Sequence, residues 1–346
     1  MVVRAAYPDP LHEVPVPRSA IVGTGFHVPD RVVTNDDLAM RIDTSDAWIR
    51  ERTGIEERRW VDEGTTSAEL ARRASLAALA AAGLEPGAVD AIVLATLSPD
   101  HFFPGTGVFL ERALGLEGIP ALDVRAQCTG FLYGLSVADA WIRVGQHRTI
   151  LLVGVEIQST GLNLTDEGRD MAVLFGDGAG AVVLQATDDP GRGVLSTHLH
   201  ADGRHAEVLW CDAPSSARRP RLGADDLARG RHYPTMEGRE VFKHAVSRMP
   251  EAVEEALAAH GLTTADLDLL VPHQANLRIT QMVQRRLGLS DDQIVDNIGR
   301  YGNTTAATIP IALAEAVAQG RLERGNLLGL VAFGSGFTWG SALIRW

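Results

Sequence analysis

AALAAAGLEPGAVDAIVLAT (residues 77–96) and EALAAHGLTTADLDLLVPHQ (residues 255–274) are two copies of one unit. In each, an Ala-rich amphipathic stretch, Leu70 to Ala82 or Val253 to Ala259, stops at a glycine, Gly83 or Gly261, where a left-handed helix cap costs nothing. A short apolar run follows, Ala91 to Ala95 or Leu267 to Val271, with the length and composition of a buried strand. CTGFLYGLSVADAWIRVGQHRTILLVGVE (128–156) then matches NTTAATIPIALAEAVAQGRLERGNLLGLVAFG (303–334): a second helix, a second glycine, and a strand over Ile150 to Val155 or Leu327 to Phe333. Gly145 follows Cys128 by 17 residues, as Gly320 follows Asn303, which places Asn303 in the slot of Cys128. His273 follows Gly261 by 12, the spacing from Gly83 to Ala95. Strands alternating with helices of about a dozen residues predict an α/β fold of mostly parallel sheet covered on both faces. Duplication makes it two such layers sharing a core, and a pseudo-twofold axis brings equivalent ends together. Cys128, His273 and Asn303 are therefore expected in one cleft, the makings of a thiol active site.

The chain has 346 residues, 45% of them hydrophobic and 22% charged, enough for one large core or two closely packed halves. Residues 1–17 hold four prolines, no apolar core of a signal peptide, and read as a flexible arm. No apolar run reaches the roughly 18 to 20 residues of a membrane span. With only Cys128 and Cys211, a reduced cytoplasm is the expected compartment. The net charge of −12 argues against nucleic acid, whose phosphates demand a basic face. Basic residues nevertheless gather locally: Lys243, the single lysine, with Arg278, Arg285 and Arg286. Such an island is either a salt-bridged helix face or a docking patch.

Cys128, in Ala126-Gln127-Cys128-Thr129-Gly130, follows the apparent strand Ala121 to Val124 and precedes a helical pattern. Unpaired N–H groups and the partial positive charge of a helix N-terminus favour a thiolate there and can hold an oxyanion. Cys211 has no such context and reads as a small buried hydrophobe. Alone, His273 could be a structural hydrogen-bonding residue ahead of the helix Arg278 to Leu287, and Asn303 a helix N-cap. Joint placement at equivalent ends of a repeat favours a shared site. FGDGAG (175–180) leads into the apolar run Ala181 to Leu184, so it is a tight strand entry and no phosphate loop. FGSGF (333–337) precedes another strand, Thr338 to Ile344, and its bend lets backbone N–H groups approach a substrate carbonyl.

TSDAWI (44–49), RTGI (52–55), the Cys128 elbow, FGDGAGA, VPHQANLRI, YGNTTAA and FGSGFTWGSALIRW together resemble the β-ketoacyl-acyl-carrier-protein synthase III family, initiating condensing enzymes of bacterial fatty-acid synthesis. The resemblance runs from about Ala20 to Trp346. It implies a thiolase-like, duplicated αβαβα layered fold with two pseudo-twofold-related halves, here 18–187 carrying the nucleophile and 188–346 carrying the histidine and asparagine. It also implies a Cys128-His273-Asn303 triad, an oxyanion hole from the backbone of Cys128 and Ser335, a homodimer, and no cofactor or metal, acyl-CoA being a substrate. The second substrate implied is malonyl-acyl carrier protein. For CoA and its pantetheine arm the matching positions are Thr44, Trp48, Arg52, Arg169, Phe175, Met236, Gly238, Phe242 and Asn276, with Trp48 stacking on the adenine opposite Arg169. Phe103 matches the aromatic that closes the partner subunit's acyl pocket, and Lys243, Arg278, Arg285 and Arg286 match the carrier-protein docking patch.

Two departures stand out. Ser335 replaces the family's usual glycine, which matters only if the backbone there excludes a Cβ. The segment 206–235 is longer and richer in arginine than in simple members of the family, at what would be the substrate entrance. A papain-like hydrolase also uses Cys-His-Asn, but in a different sequence context and usually with disulfides. The stronger rival is a specialised acyltransferase, or a CoA-dependent condensing enzyme, on the same fold. Retention of both His273 and Asn303 favours decarboxylation, since simple acyl transfer needs only a base.

Overall fold

In the computed structural model residues 16–346 are described; the expected arm over residues 1–17 falls, up to residue 15, outside them. The strand signals become two main sheets. The first contains β1 (Arg18–His27), β2 (Ala91–Ala95), β3 (Ala121–Val124), β4 (Thr149–Glu156) and β5 (Gly178–Thr187), in the spatial order β1-β5-β4-β2-β3. The second contains β6 (Gly193–Ala201), β7 (Leu269–Pro272), β8 (Leu327–Gly334) and β9 (Thr338–Arg345), in the order β7-β8-β9-β6. A lone parallel bridge from Leu270 to Ile294 stands where β3 stands beside β2, so the two orders correspond throughout.

The sheets are mixed where mostly parallel ones were expected. β2 runs parallel to β3 and β4, and β7 parallel to β8, but β1, β5, β6 and β9 enter antiparallel. Ser335-Gly336-Phe337 alone joins β8 to β9, and three residues cannot make the crossover that a parallel pair requires. β4 and β5 are likewise antiparallel, and the glycine-rich stretch leads into β5 with no helix after it.

Helix α1 (Asp46–Thr53) lies near the cleft described below, while α2 (Ser67–Ala82) covers the outer face of the first sheet. Between the sheets lie α3 (Gly130–Arg143) and, later in the chain, α6 (Thr308–Ala318). Phe131, Leu132, Leu135, Ile309 and Leu313 from this pair meet Val93 and Leu152 of one sheet and Leu330 and Ala332 of the other. α6 is buried over almost its whole circumference, as its nearly unbroken apolar sequence requires. Truncating Leu313 to Ala would cost about 2–5 kcal/mol. α4 (Gly238–Ala259) and α5 (Leu277–Leu287) cover the second sheet, completing five alternating layers.

The glycine signals hold: Gly83 and Gly261 both adopt φ 67° after their helices. The slot assigned to Asn303 does not. Gln127 (φ 47°) and Thr305 (φ 50°), the two non-glycine residues with positive φ among those described, open matching turns at Gln127–Thr129 and Thr305–Ala307. They are 178 residues apart, the same separation as Gly83 and Gly261. Cys128 therefore corresponds to Ala306. Counting back from Gly145 and Gly320 misleads because α3 has 14 residues and α6 only 11. Asn303 instead reaches the centre from the loop before the elbow.

Candidate active site

The end of β8 presses directly on the Cys128 elbow. A Cβ built on Gly334 would lie 2.7 Å from Cys128 Cβ and 3.1 Å from its Sγ, so only glycine fits there. The N–H groups of Cys128 itself and of Ser335 are directed at the sulfur. Ser335 has no positive φ, so its Cβ is tolerated, and its hydroxyl donates to the Leu209 carbonyl.

The thiol itself departs from expectation. Burial pushes Cys128 up to about 12, and the Glu156 carboxyl adds to the effect. Two backbone N–H groups do not compensate for removing a thiolate from water. The resting sulfur is thus a thiol, and a nucleophilic role would require an acceptor for its proton. Glu156, at the end of β4, is fully buried and itself pushed up to about 7 by desolvation. It accepts from the Ser98 hydroxyl (2.6 Å), the Leu97 N–H (3.2 Å) and the Gln158 amide (3.2 Å).

His273 follows β7, and its backbone N–H continues the ladder to the Val331 carbonyl at 2.8 Å. Burial holds the imidazole down at about 3, so it is neutral near pH 7. Its Nδ1 lies 2.6 Å from Thr308 Oγ1. Nε2 is buried and has no partner. Asn303 is laced to the FGDG stretch: its N–H donates to the Leu174 carbonyl (2.8 Å) and its carbonyl accepts from the Gly176 N–H (3.1 Å). Gly302, at φ 64°, permits that approach, since a Cβ would meet the Leu174 oxygen at 2.7 Å. Asn303 Oδ1 accepts the Thr305 N–H at 2.8 Å, which leaves the NH2 group to face outward as a donor.

Cys128, His273 and Asn303 all line one cleft of about 920 Å³. Trp48, Arg52, Arg169, Phe175, Met236, Gly238, Phe242 and Asn276 line it too. Thr44 does not. The Arg52 and Arg169 guanidinium carbons lie 4.4 and 4.8 Å from the Trp48 ring centre. An adenine between Trp48 and Arg169 needs two van der Waals spacings, roughly 7 Å, so Arg169 must withdraw to admit one. Asn276 caps α5 and donates to the Arg52 carbonyl at 2.9 Å, tying the two walls together. Phe103 is 78% exposed and lies outside the cleft.

The basic island is partly neutralised. Lys243 lies 3.5 Å from Glu240, and Arg286 lies 3.8 and 4.0 Å from Glu251 and Glu254. Arg278, at the cleft mouth, and Arg285 have no carboxylate within ion-pair reach among the described residues. Two of the five arginines of segment 206–235 are internal wiring: Arg218 and Arg231 pair with Asp212 and Asp226. Leu209 is the part of that segment that reaches the cleft wall. Sequence reasoning missed Thr308, Glu156 and the cleft-lining Arg239; only Arg239, beside Gly238, carried a local signal. Among the described residues no cluster of His, Cys, Asp and Glu is placed to hold a metal.

Residues 122–203 match the family 3-oxoacyl-[acyl-carrier-protein (ACP)] synthase III, and residues 257–346 match its C-terminal family. A beta-ketoacyl-[acyl-carrier-protein] synthase III of Acidiphilium cryptum is 51% identical over 329 residues, 95% of this chain and 99% of that one. One from Xanthomonas campestris is 50% identical over 95% of this chain and 98% of that protein. The solved 3-oxoacyl-[acyl-carrier-protein] synthase III of Aquifex aeolicus superimposes with a TM-score of 0.87 at 40% identity, covering 95% of this chain and 100% of that one. The priming beta-ketosynthase of the R1128 polyketide pathway gives 0.88 at 33%, covering 97% and 98%. With a duplicated layered fold and likeness along nearly its whole length, this chain belongs to the 3-oxoacyl-[acyl-carrier-protein] synthase III family.

Proposed function

We propose that the chain condenses an acyl-CoA primer with malonyl-acyl carrier protein, with loss of CO2, to give 3-oxoacyl-acyl carrier protein through an acyl-Cys128 intermediate. The observation that carries this is the shared cleft: a buried thiol, an unpartnered imidazole nitrogen and a free amide NH2 together. Cys128 Sγ attacks the thioester carbon, the oxyanion takes the N–H groups of Cys128 and Ser335, and CoA leaves as its thiol. The malonyl thioester then enters. Loss of CO2 puts the electron pair into an enolate whose oxygen is held by Asn303 Nδ2 and by the Nε2 side of His273. The enolate carbon attacks the acyl-Cys128 carbonyl, and the thiol is regenerated by a proton. A bare acyltransferase would have no use for the oriented Asn303 amide.

CoA binds at Trp48, Arg52 and Arg169, its arm passing Gly238, Asn276, Phe175, Met236 and Phe242; Thr44, outside the cleft wall, contributes from the rim. Arg278 leads the carrier-protein surface, supported by Arg285, Lys243 and Arg286. A second copy of the chain pairs along the edge strand β3, where Phe102, Phe103, Val108 and Leu122 are exposed, and Phe103 closes its acyl pocket. A reducing cytoplasm suits two free cysteines. The test is incubation with acyl-CoA, then malonyl-acyl carrier protein. Intact mass and peptide mapping should show acyl on Cys128 with none on Cys211, then discharge to a 3-oxoacyl product. A label on Cys211, or a product retaining no malonyl carbons, refutes the reading.

A further inference from the structure

The hydrogen count around His273 decides which of its nitrogens is a base. Thr308 Oγ1 is 2.6 Å from His273 Nδ1 and 3.0 Å from the Thr305 carbonyl oxygen. The hydroxyl has one hydrogen, and the carbonyl can only accept. With that hydrogen on the Thr305 carbonyl, the back-bond that a threonine makes to the preceding turn, the short contact to Nδ1 exists only if Nδ1 carries the ring hydrogen. Nε2, buried in the cleft with no partner, then holds the lone pair. We propose that Thr308 is a positioning residue that holds neutral His273 in the Nδ1–H tautomer, so that Nε2 enters the reaction as the acceptor of the Cys128 proton.

The proposal rests on the cleft being the condensing site and specifies its first half-reaction. As the Sγ–C bond forms, the thiol proton passes to Nε2. As the C–S bond to CoA breaks, the same proton passes from Nε2 to the departing sulfur, and the neutral ring returns unchanged. A thiol so disfavoured as an anion needs such an acceptor, and the tautomer with hydrogen on Nε2 could not serve. That other tautomer, reached if the hydroxyl turns to Nδ1, presents Nε2–H and is the form that would assist Asn303 in holding the enolate. Thr308, with one hydrogen and two acceptors in reach, therefore biases the ring toward acylation.

The experiment compares the wild type with Thr308→Val and Thr308→Ser in the full chain. Rapid-quench mass measurement follows acyl-Cys128 formation from acyl-CoA, malonyl decarboxylation is followed on enzyme already acylated, and the nitrogen-15 spectrum of His273 reads the tautomer. Thr308→Val should slow acylation by about tenfold or more, short of the roughly hundredfold or greater loss that removing a general base outright brings. It should leave decarboxylation by the acyl-enzyme undiminished, while Thr308→Ser restores acylation. A wild-type spectrum with hydrogen on Nε2, equal loss of both half-reactions in the valine variant, or no loss of acylation overturns the proposal. If the valine variant does not fold, the wild-type spectrum and the serine variant still decide it. Absence of any acyl on wild-type Cys128 would instead overturn the functional reading beneath it.

Discussion

Replacing Gly334 by Ala tests how tightly the second half of the repeat holds Cys128 of the first. The new methyl would sit 2.7 Å from Cys128 Cβ, 3.1 Å from Sγ and 3.2 Å from the Cys128 nitrogen, and ordinary contact begins at 3.4 Å. The two segments must therefore part by about 0.7 Å. Neither yields easily, since β8 is hydrogen-bonded on both edges and Cys128 sits on the turn that opens a buried helix. Overpacking of this kind costs about 1–3 kcal/mol. The catalytic loss should be larger, because the Ser335 N–H follows Gly334 in the chain and moves with it. A displaced donor of this type costs roughly a hundredfold. Acylation of Cys128 by acyl-CoA, timed by intact mass, should fall by that order while thermal denaturation shows a loss of a few degrees. Wild-type acylation with an unchanged melting temperature would refute the packing argument. A lowered melting temperature with wild-type acylation would refute the assignment of the Ser335 N–H.

Three further outcomes are expected. Asn303→Ala should still take an acyl group from CoA yet lose malonyl decarboxylation by about a hundredfold or more, as removal of one oxyanion donor does; equal loss in both steps would make Asn303 a support of the fold. Arg278→Glu should raise KM for malonyl-acyl carrier protein, with added salt slowing the wild type by screening, while acylation by acyl-CoA changes less; an unchanged KM would remove Arg278 from the docking surface. Because His273 titrates at about 3 when folded, below the ordinary 6.5, an unfolded chain takes up its proton first on acidification. Stability from this group is complete above 6.5 and is lost as pH falls toward 3, so urea midpoints should drop more steeply below pH 6.5 for the wild type than for His273→Gln. Equal slopes would mean that the ring is solvated.

The strand over Ala91–Ala95 and the glycine caps were legible in the chain because each depends on neighbours within a dozen positions, and the duplication because it repeats those local signals 178 residues further on. A helix period, a capping glycine and an apolar run of five are local signals. What required the folded molecule was whatever depends on groups brought from afar. The direction of β1, β5, β6 and β9 follows from which edges they meet, which periodicity does not encode. The counterpart of Cys128 is Ala306 because two strained elbows, not two helix ends, set the register. The thiol is disfavoured as an anion because Gly334, Glu156 and the opposite half enclose it, whereas the sequence shows only the helix end that would have favoured it. Sequence alone thus singled out three candidate residues of one cleft; their protonation states belong to desolvation and to hydrogen-bond partners such as Thr308, which act only once both halves have closed on that cleft.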